Sequence, residues 1–200
     1  MSLDHYLYFF NAAQVNQKLK ELYDKIQKCK KCSLSILPVN SFRPFFKPGK
    51  APIVIVSQNP SFFRDETCDH VWGGLDKLPE SVKQKIPLDV PFITNVLKCS
   101  TFRNNAPEQR FIDACREWLT RELLIISPRR IIALGKVAGQ WFHASPSFDD
   151  SPAAWWNNVP VYCTYHPAYI LRRQKLKVNE NNYALSRFVI LLKRWLSWKS

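Results

Sequence analysis

Four β-branched apolar residues in a row, Ile53-Val54-Ile55-Val56, stand between Pro52 and the turn Ser57-Gln58-Asn59-Pro60. An apolar run this short, closed by turn residues, suits a strand buried on both faces, as strands are inside a helix-covered parallel sheet. Sheets of that kind place their ligands beyond the carboxyl ends of the strands. Gln58 and Asn59 stand at that point, on a turn that Pro60 stiffens. Asn-Pro also closes ordinary strand-to-loop turns, so this stretch fixes a strand and leaves the use of its end open.

Three more strand-like runs follow: Phe92-Ile93-Thr94-Asn95-Val96, then residues 130–135, then 159–164. Helical spacing recurs around them. Val15, Leu19, Leu22 and Ile26 predict a helix over 14–28, and Phe111, Cys115, Trp118, Leu119 and Ile126 predict one from Pro107 to Ile126. A short helix through Trp141 is expected, and Leu185, Phe188, Leu192, Trp195 and Leu196 give a core face to a last helix over 181–198. Residues 62–91 read as a long polar loop around Gly73-Gly74, of the kind that covers or forms a binding site. Strands alternating with helices predict an α/β fold with a parallel sheet covered on both faces. One domain over 1–200 is expected, with 1–50 a helix and cysteine-bearing loop and 51–200 the α/β core.

Charge narrows the partner. The net charge is +13, from 29 basic and 16 acidic residues, with six lysines between Lys18 and Lys31 and a second cluster at Arg172, Arg173, Lys175 and Lys177. A polyanion is the simplest explanation, and DNA fits best because one basic cluster directly follows a candidate site loop. No helix shows a clean basic-amphipathic face for a membrane, and no apolar run approaches the roughly 20 residues of a span. Leu7-Tyr8-Phe9-Phe10 is too short for a signal-peptide core and follows Asp4 and His5 rather than basic residues. A cytoplasmic, monomeric protein is expected. The absence of a P-loop or a dinucleotide fingerprint argues against a nucleotide cofactor.

Two constellations carry chemistry. The first is Cys29-Lys30-Lys31-Cys32 with Cys99 and Cys115. Two thiolates at the first spacing can turn onto one metal atom or cluster, and the others can complete a four-cysteine set. An iron–sulfur cluster, a zinc site and a plain core role for Cys115 all remain open on spacing alone. Cys163, on the fourth strand, reads as a core thiol. The second constellation is Gln58-Asn59, Asn95 and His166, three strand ends that a parallel sheet brings to one edge. Two amides and an imidazole there suit a planar polar ring. They contain neither a nucleophile with a base nor a pair of carboxylates.

Cys29-x-x-Cys32, residues 51–56, Ile93-Thr94-Asn95-Val96-Leu97-Lys98-Cys99, Cys115, Ile131-Ile132-Ala133-Leu134-Gly135 and Thr164-Tyr165-His166-Pro167-Ala168-Tyr169-Ile170-Leu171-Arg172 occur in an order that resembles the iron–sulfur (family 4) uracil-DNA glycosylases. The likeness covers about residues 25–195. It implies a four-stranded parallel sheet between helices. It also implies a structural [4Fe–4S] cluster on Cys29, Cys32, Cys99 and Cys115, bound to the N-terminal helix region, with zinc as the alternative. The implied reaction is hydrolysis of the N-glycosidic bond of a flipped-out base. In that scheme Asn59 orients a water, His166 donates to the departing base and Asn95 reads its edge. Gln58, Ser61 and Trp72 line the base, Trp72 by stacking. Tyr169, Ile170 and Leu171 fill the gap left in the duplex, while Arg172 and Arg173 hold phosphates.

The chain also departs from that family. Family 4 enzymes usually carry Gly-Glu-Ala-Pro-Gly where Ser57-Gln58-Asn59-Pro60-Ser61 stands here, and their stacking Phe is replaced near Val71-Trp72-Gly73. Asn59 matches the mismatch-specific and single-strand-selective relatives instead. Family 1 enzymes place Tyr where Ser61 stands, which closes the pocket at C5 of the base. Three functions follow as expectations: a glycosylase for uracil or a C5-modified pyrimidine, an anti-phage glycosylase for hypermodified cytosine, and a non-catalytic iron–sulfur DNA-binding module.

Overall fold

A computed structural model describes residues 3–37, 53–60, 84, 92–174 and 181–197. Helix α1 spans Leu3–Gln27, beginning eleven residues before the expected start, and is followed by a 3-10 turn at Ser33–Ile36. Strand β1 is Ile53–Ser57 and β2 is Phe92–Asn95. Helix α2 spans Gln109–Ile126, β3 Arg130–Leu134 and the short α3 Lys136–Trp141. Then come β4 at Ala154–Trp156, β5 at Val159–Thr164, α4 at Pro167–Gln174 and α5 at Asn181–Leu196.

The sheet order is β2-β1-β3-β5-β4. The first four strands pair in parallel, as expected. The four-stranded, wholly parallel sheet needs correction, because β4 adds a fifth, antiparallel strand at the edge beside β5. Its cause is local. Trp156 pairs with Val159 across Asn157 and Asn158, whose φ values are 45° and 65°. Two central residues with positive φ make the tight hairpin turn whose twist matches that of its strands, and Asn tolerates that backbone best after Gly.

Alternation along β1 divides the core between the two faces of the sheet. Val54 and Val56 pack with Leu19 of α1, Ile112, Leu119, Leu123 and Ile126 of α2, and Trp141 of α3. Ile53 and Ile55 face the other way, into Phe188, Leu192 and Trp195 of α5 and Ile170 of α4. Both faces are therefore covered, which leaves the strand ends as the place for a site. Among the described residues no helix is long and apolar enough to cross a membrane.

Candidate active site

Parallel pairing brings the carboxyl ends of β1, β2, β3 and β5 to one edge. Ser57 pairs with Asn95, and Leu134 with Thr164. The amides of Val96 and Leu97 donate to the carbonyls of Ser57 and Gln58, at 2.9 and 3.0 Å, which welds the β1 turn to the β2 exit. Asn95 is buried there. On the β5 side the amide of Gly135 donates to Thr164 O at 2.8 Å. Gly135 has φ 85°, and a Cβ on it would stand 3.1 Å from Cβ of His166. Only glycine takes that backbone without strain while letting the histidine turn lie so close.

His166 starts α4. Its Nδ1 accepts the amide of Ala168 at 3.2 Å, and its carbonyl accepts the amides of Tyr169 and Ile170. An Nδ1 that accepts carries no proton, so the neutral ring holds its proton on Nε2 and is a donor there.

The side chain of Asn59 is held from both its oxygen and its nitrogen. Its Oδ1 accepts from Gln58 Nε2 at 2.7 Å and from Thr101 Oγ1 at 3.4 Å. Its Nδ2 donates to Pro60 O at 2.6 Å and to Asn104 Oδ1 at 3.4 Å. The one hydroxyl proton of Thr101 goes mainly to Asn105 O, at 2.7 Å, so the second acceptor site of Asn59 Oδ1 is only weakly met, and every partner is neutral. Gln58 Nε2 also donates to Asn105 O at 3.0 Å, and Thr101 Oγ1 to the same oxygen at 2.7 Å. The segment 101–105 thus clamps the Asn59 turn, a contact that sequence reasoning missed.

Comparison with known proteins gives the family. The profile of the Uracil DNA glycosylase superfamily matches residues 43–189. The chain belongs to this superfamily. It is a DNA glycosylase, a hydrolase of N-glycosyl bonds. The Type-4 uracil-DNA glycosylase of Archaeoglobus fulgidus is 30% identical over 175 residues, covering 80% of this chain and 87% of the relative. That of Sulfurisphaera tokodaii is 30% identical over 177 residues, covering 80% and 78%. That of Pyrobaculum aerophilum is 29% identical over 177 residues, covering 80% and 87%.

The glycosylase gathers its four cysteines between α1, the β2 exit and α2. Cys115 and Cys29 pack with Leu22, Tyr23, Ile26, Leu97 and Trp118. Burial, and then the charges of Cys115, Cys32 and Cys29, push the Cys99 thiol up to about 12. Burial also raises Cys115, against the opposing pull of the Lys98 amide, 3.5 Å from its sulfur, and of the Lys98 ammonium. By chemistry, four thiols are a donor set that zinc or an iron–sulfur cluster takes. Among the described residues no group of three His, Cys, Asp or Glu side chains is closed at the spacing of a single metal ion.

Beside the cysteines lies a buried polar network that the sequence did not reveal. Lys98 Nζ donates to Glu122 Oε2 at 2.7 Å, Thr94 Oγ1 at 2.8 Å and Asn95 O at 2.8 Å, which engages all three ammonium protons. Tyr23 OH donates to Glu122 Oε1, and Thr94 Oγ1 donates to Oε2 at 2.6 Å. Burial and then the Glu122 charge raise the Tyr23 phenol well above its ordinary value.

The DNA-facing expectations fare unevenly. The loop expected after His166 is helix α4, which Pro167 opens. Ile170 is 3% exposed and belongs to the core under α5, so its expected role as a wedge in the duplex is corrected. Leu171 is half-buried against the same core. Tyr169 is 39% exposed, stacks on Tyr165 at 5.4 Å, and has the Arg173 guanidinium 5.4 Å from its ring. Arg172 and Arg173 are exposed. Ser61 and Trp72 lie outside the described residues.

Proposed function

We propose that this glycosylase takes an extruded pyrimidine from DNA, either uracil or a C5-substituted base, and hydrolyses its bond to the sugar. The observation that carries the reading is the meeting of the Asn59 turn, Asn95 and a His166 with its proton on Nε2 at one sheet edge. The names of the relatives support uracil.

In this mechanism water adds at the sugar C1′ as the bond to the base nitrogen breaks, the bonding electron pair leaves with the base, and the proton that the water sheds ends, through solvent, on the departing base anion. Negative charge then grows on the base, where a fixed donor is worth most. His166 supplies it through Nε2–H. Asn59 orients the water, which replaces one of its two long contacts, those to Thr101 and Asn104, both at 3.4 Å. A neutral amide with neutral partners is a poor base, so positioning and leaving-group stabilisation supply most of the acceleration. Asn95 offers one donor and one acceptor to the pairing edge of the base. An amide turned either way satisfies uracil or cytosine, so base choice needs a further group. Small Ser61, where family 1 enzymes carry Tyr, leaves room at C5 and favours the second reading, excision of hypermodified cytosine from phage DNA. Trp72 is the candidate for stacking on the base, and Gln58 a candidate for lining it. Arg172 and Arg173 hold phosphates. Cys29, Cys32, Cys99 and Cys115 would hold an iron–sulfur cluster, which when bound staples α1 to the β2 exit and α2.

The test is single-turnover cleavage, developed with alkali, on duplexes carrying uracil, thymine, 5-methylcytosine, 5-hydroxymethylcytosine or its glucosylated form. Excision of uracil and at least one C5-substituted base is expected. Asn59→Ala and His166→Ala should each slow it by roughly 10²–10³ while DNA affinity holds, and Ser61→Tyr should remove the C5-substituted activity first. Uracil excision alone overturns the wider specificity. No abasic site on any DNA returns the chain to a binding module.

A further inference from the structure

Three cations crowd a groove at the end of the molecule away from the site. Lys18, Leu22 and Lys25 follow one another at helical-turn spacing along α1, and Arg121, Leu124 and Ile125 do so along α2, so each helix turns one mixed face to the gap between them. The gap is an open groove of about 310 Å³. That is the low end of ligand-site volumes and suits one or two anchoring side chains better than a whole cofactor. Its position follows from the fold. Helix α2 starts beyond the 101–105 clamp at the site edge and ends at Ile126, just before β3 begins at the other edge with Arg130. Leu124 lies fifteen residues past Gln109, about 23 Å further along the helix axis.

The groove has an apolar floor and a basic rim. Leu22 is buried against Trp118, Ile125 is half-buried, and Leu124 is 59% exposed. Among the described residues neither Lys18 nor Lys25 has an ion-pair partner. The Arg121 guanidinium rests 5.7 Å from the Trp118 ring. The one carboxylate in the lining, Glu21, already accepts from Gln17 Nε2 at 3.0 Å. Three cations and one engaged carboxylate therefore surround an exposed leucine. The phosphates of a duplex would meet the cations and leave the leucine in water. A second copy of this chain, at +13, would bring like charge. Carboxylates set around aliphatic side chains match both the rim and the floor, and an acidic amphipathic helix presents them so, with its anchors at i and i+3 or i+4.

We propose that the α1–α2 groove docks an acidic amphipathic helix of a partner protein. Its aliphatic anchors cover Leu22, Leu124 and Ile125, and its carboxylates meet Lys18, Lys25 and Arg121. The docked partner sits at the sheet edge opposite the Asn59 turn, so the chain can hold it and DNA together.

The test is fluorescence anisotropy with a labelled helical peptide of about 15 residues, built from glutamate and alanine with leucines at i, i+3 and i+7, and a control in which serine replaces each leucine. A labelled duplex is titrated alongside. Wild type should bind the leucine peptide with a Kd in the micromolar range. Leu124→Ser, and separately Lys25→Glu with Arg121→Glu, should weaken it by about tenfold or more, the worth of one buried aliphatic side chain. The serine control should bind as weakly. Leu124→Ser should keep its duplex affinity and its single-turnover excision within about twofold of wild type. Equal binding of the two peptides, or full binding by Leu124→Ser, reduces the groove to charge attraction and overturns the proposal. No peptide binding up to about 1 mM overturns it as well. Displacement of the peptide by the duplex, with duplex affinity lost in Lys25→Glu with Arg121→Glu, assigns the face to DNA. A dimer that Leu124→Ser dissolves assigns it to a second copy, and either result overturns the partner helix.

Discussion

Lys98 and Glu122 are 1% and 0% exposed and join at 2.7 Å, so their charges have no water to fall back on. Removing one partner of such a pair leaves the other buried and uncompensated, at a cost of about 3–5 kcal/mol. Lys98→Met keeps much of the volume but strands the Glu122 carboxylate with two hydroxyl donors, Tyr23 and Thr94, and strips Asn95 O of its donor. Glu122→Gln strands the ammonium. The double variant Lys98→Met with Glu122→Gln removes both charges, and the amide still accepts from Tyr23. Its residual deficit is then about one unmet buried group, roughly 1–3 kcal/mol. The singles should sum to well beyond the double, with a coupling of at least about 3 kcal/mol. Urea unfolding of the protein as purified, followed by its tryptophans, reads all four corners of the cycle. A single-variant loss of 3–5 kcal/mol corresponds to a fall in Tm of roughly 6–20 °C at about 2–4 °C per kcal/mol. If Lys98→Met costs under about 1 kcal/mol, or the double costs as much as the sum of the singles, the buried pair does not exist as described. Activity adds a second reading of the same cycle. Lys98 holds the carbonyl of Asn95, so the double variant should regain stability while excision stays slow.

If the four cysteines hold an iron–sulfur cluster, anaerobically purified protein should carry iron, be brown and absorb broadly at about 400 nm, as four-cysteine iron–sulfur clusters do, and Cys99→Ser should lose the colour; colourless protein with one zinc per chain would replace the cluster with zinc. Burial pushes Cys163 up to about 12 from 9.0, so the folded thiol stays protonated where an unfolded one ionises. It should resist alkylation at pH 8, and the stability it contributes, full below pH 9, should fall as pH rises from 9 towards 12, a slope that Cys163→Ala should reduce.

Contiguous pattern makes much of this fold legible, and pairing between distant residues hides the rest. β1 and β5 have the bounds that their apolar runs predict, because a strand buried on both faces must be apolar throughout. β4 has three residues, too few for any period to register, and its signal is the Asn157-Asn158 turn instead. Helix α4 reads as a loop in the sequence because Pro167 follows His166, although proline at the first helical position starts helices well. That one reading puts Ile170 at the DNA. Tyr169 and Arg173, four positions apart, share one face of the helix, while Ile170 turns into the core.

Glu122 carries a different lesson. A glutamate among Arg121, Leu123 and Leu124 reads as the polar face of α2, yet it is wholly buried because Lys98, Thr94 and Tyr23 come to it from two other elements. The same holds at the site. Asn59 owes its orientation to Thr101 and Asn104, 42 and 45 positions further along the chain, and no local spacing encodes that contact. What the sequence does encode is the machinery that makes it: β1 and β2 in register, and a loop beyond Cys99 in which Asn104 takes one of the two left-handed positions. Since Cys99 lies two residues before Thr101 and next to Lys98, whatever fixes the cysteine set also fixes the base of the clamp. Asn59 and Asn95 are therefore positioned by one continuous segment, 94–105, anchored at its buried end by the Lys98 network.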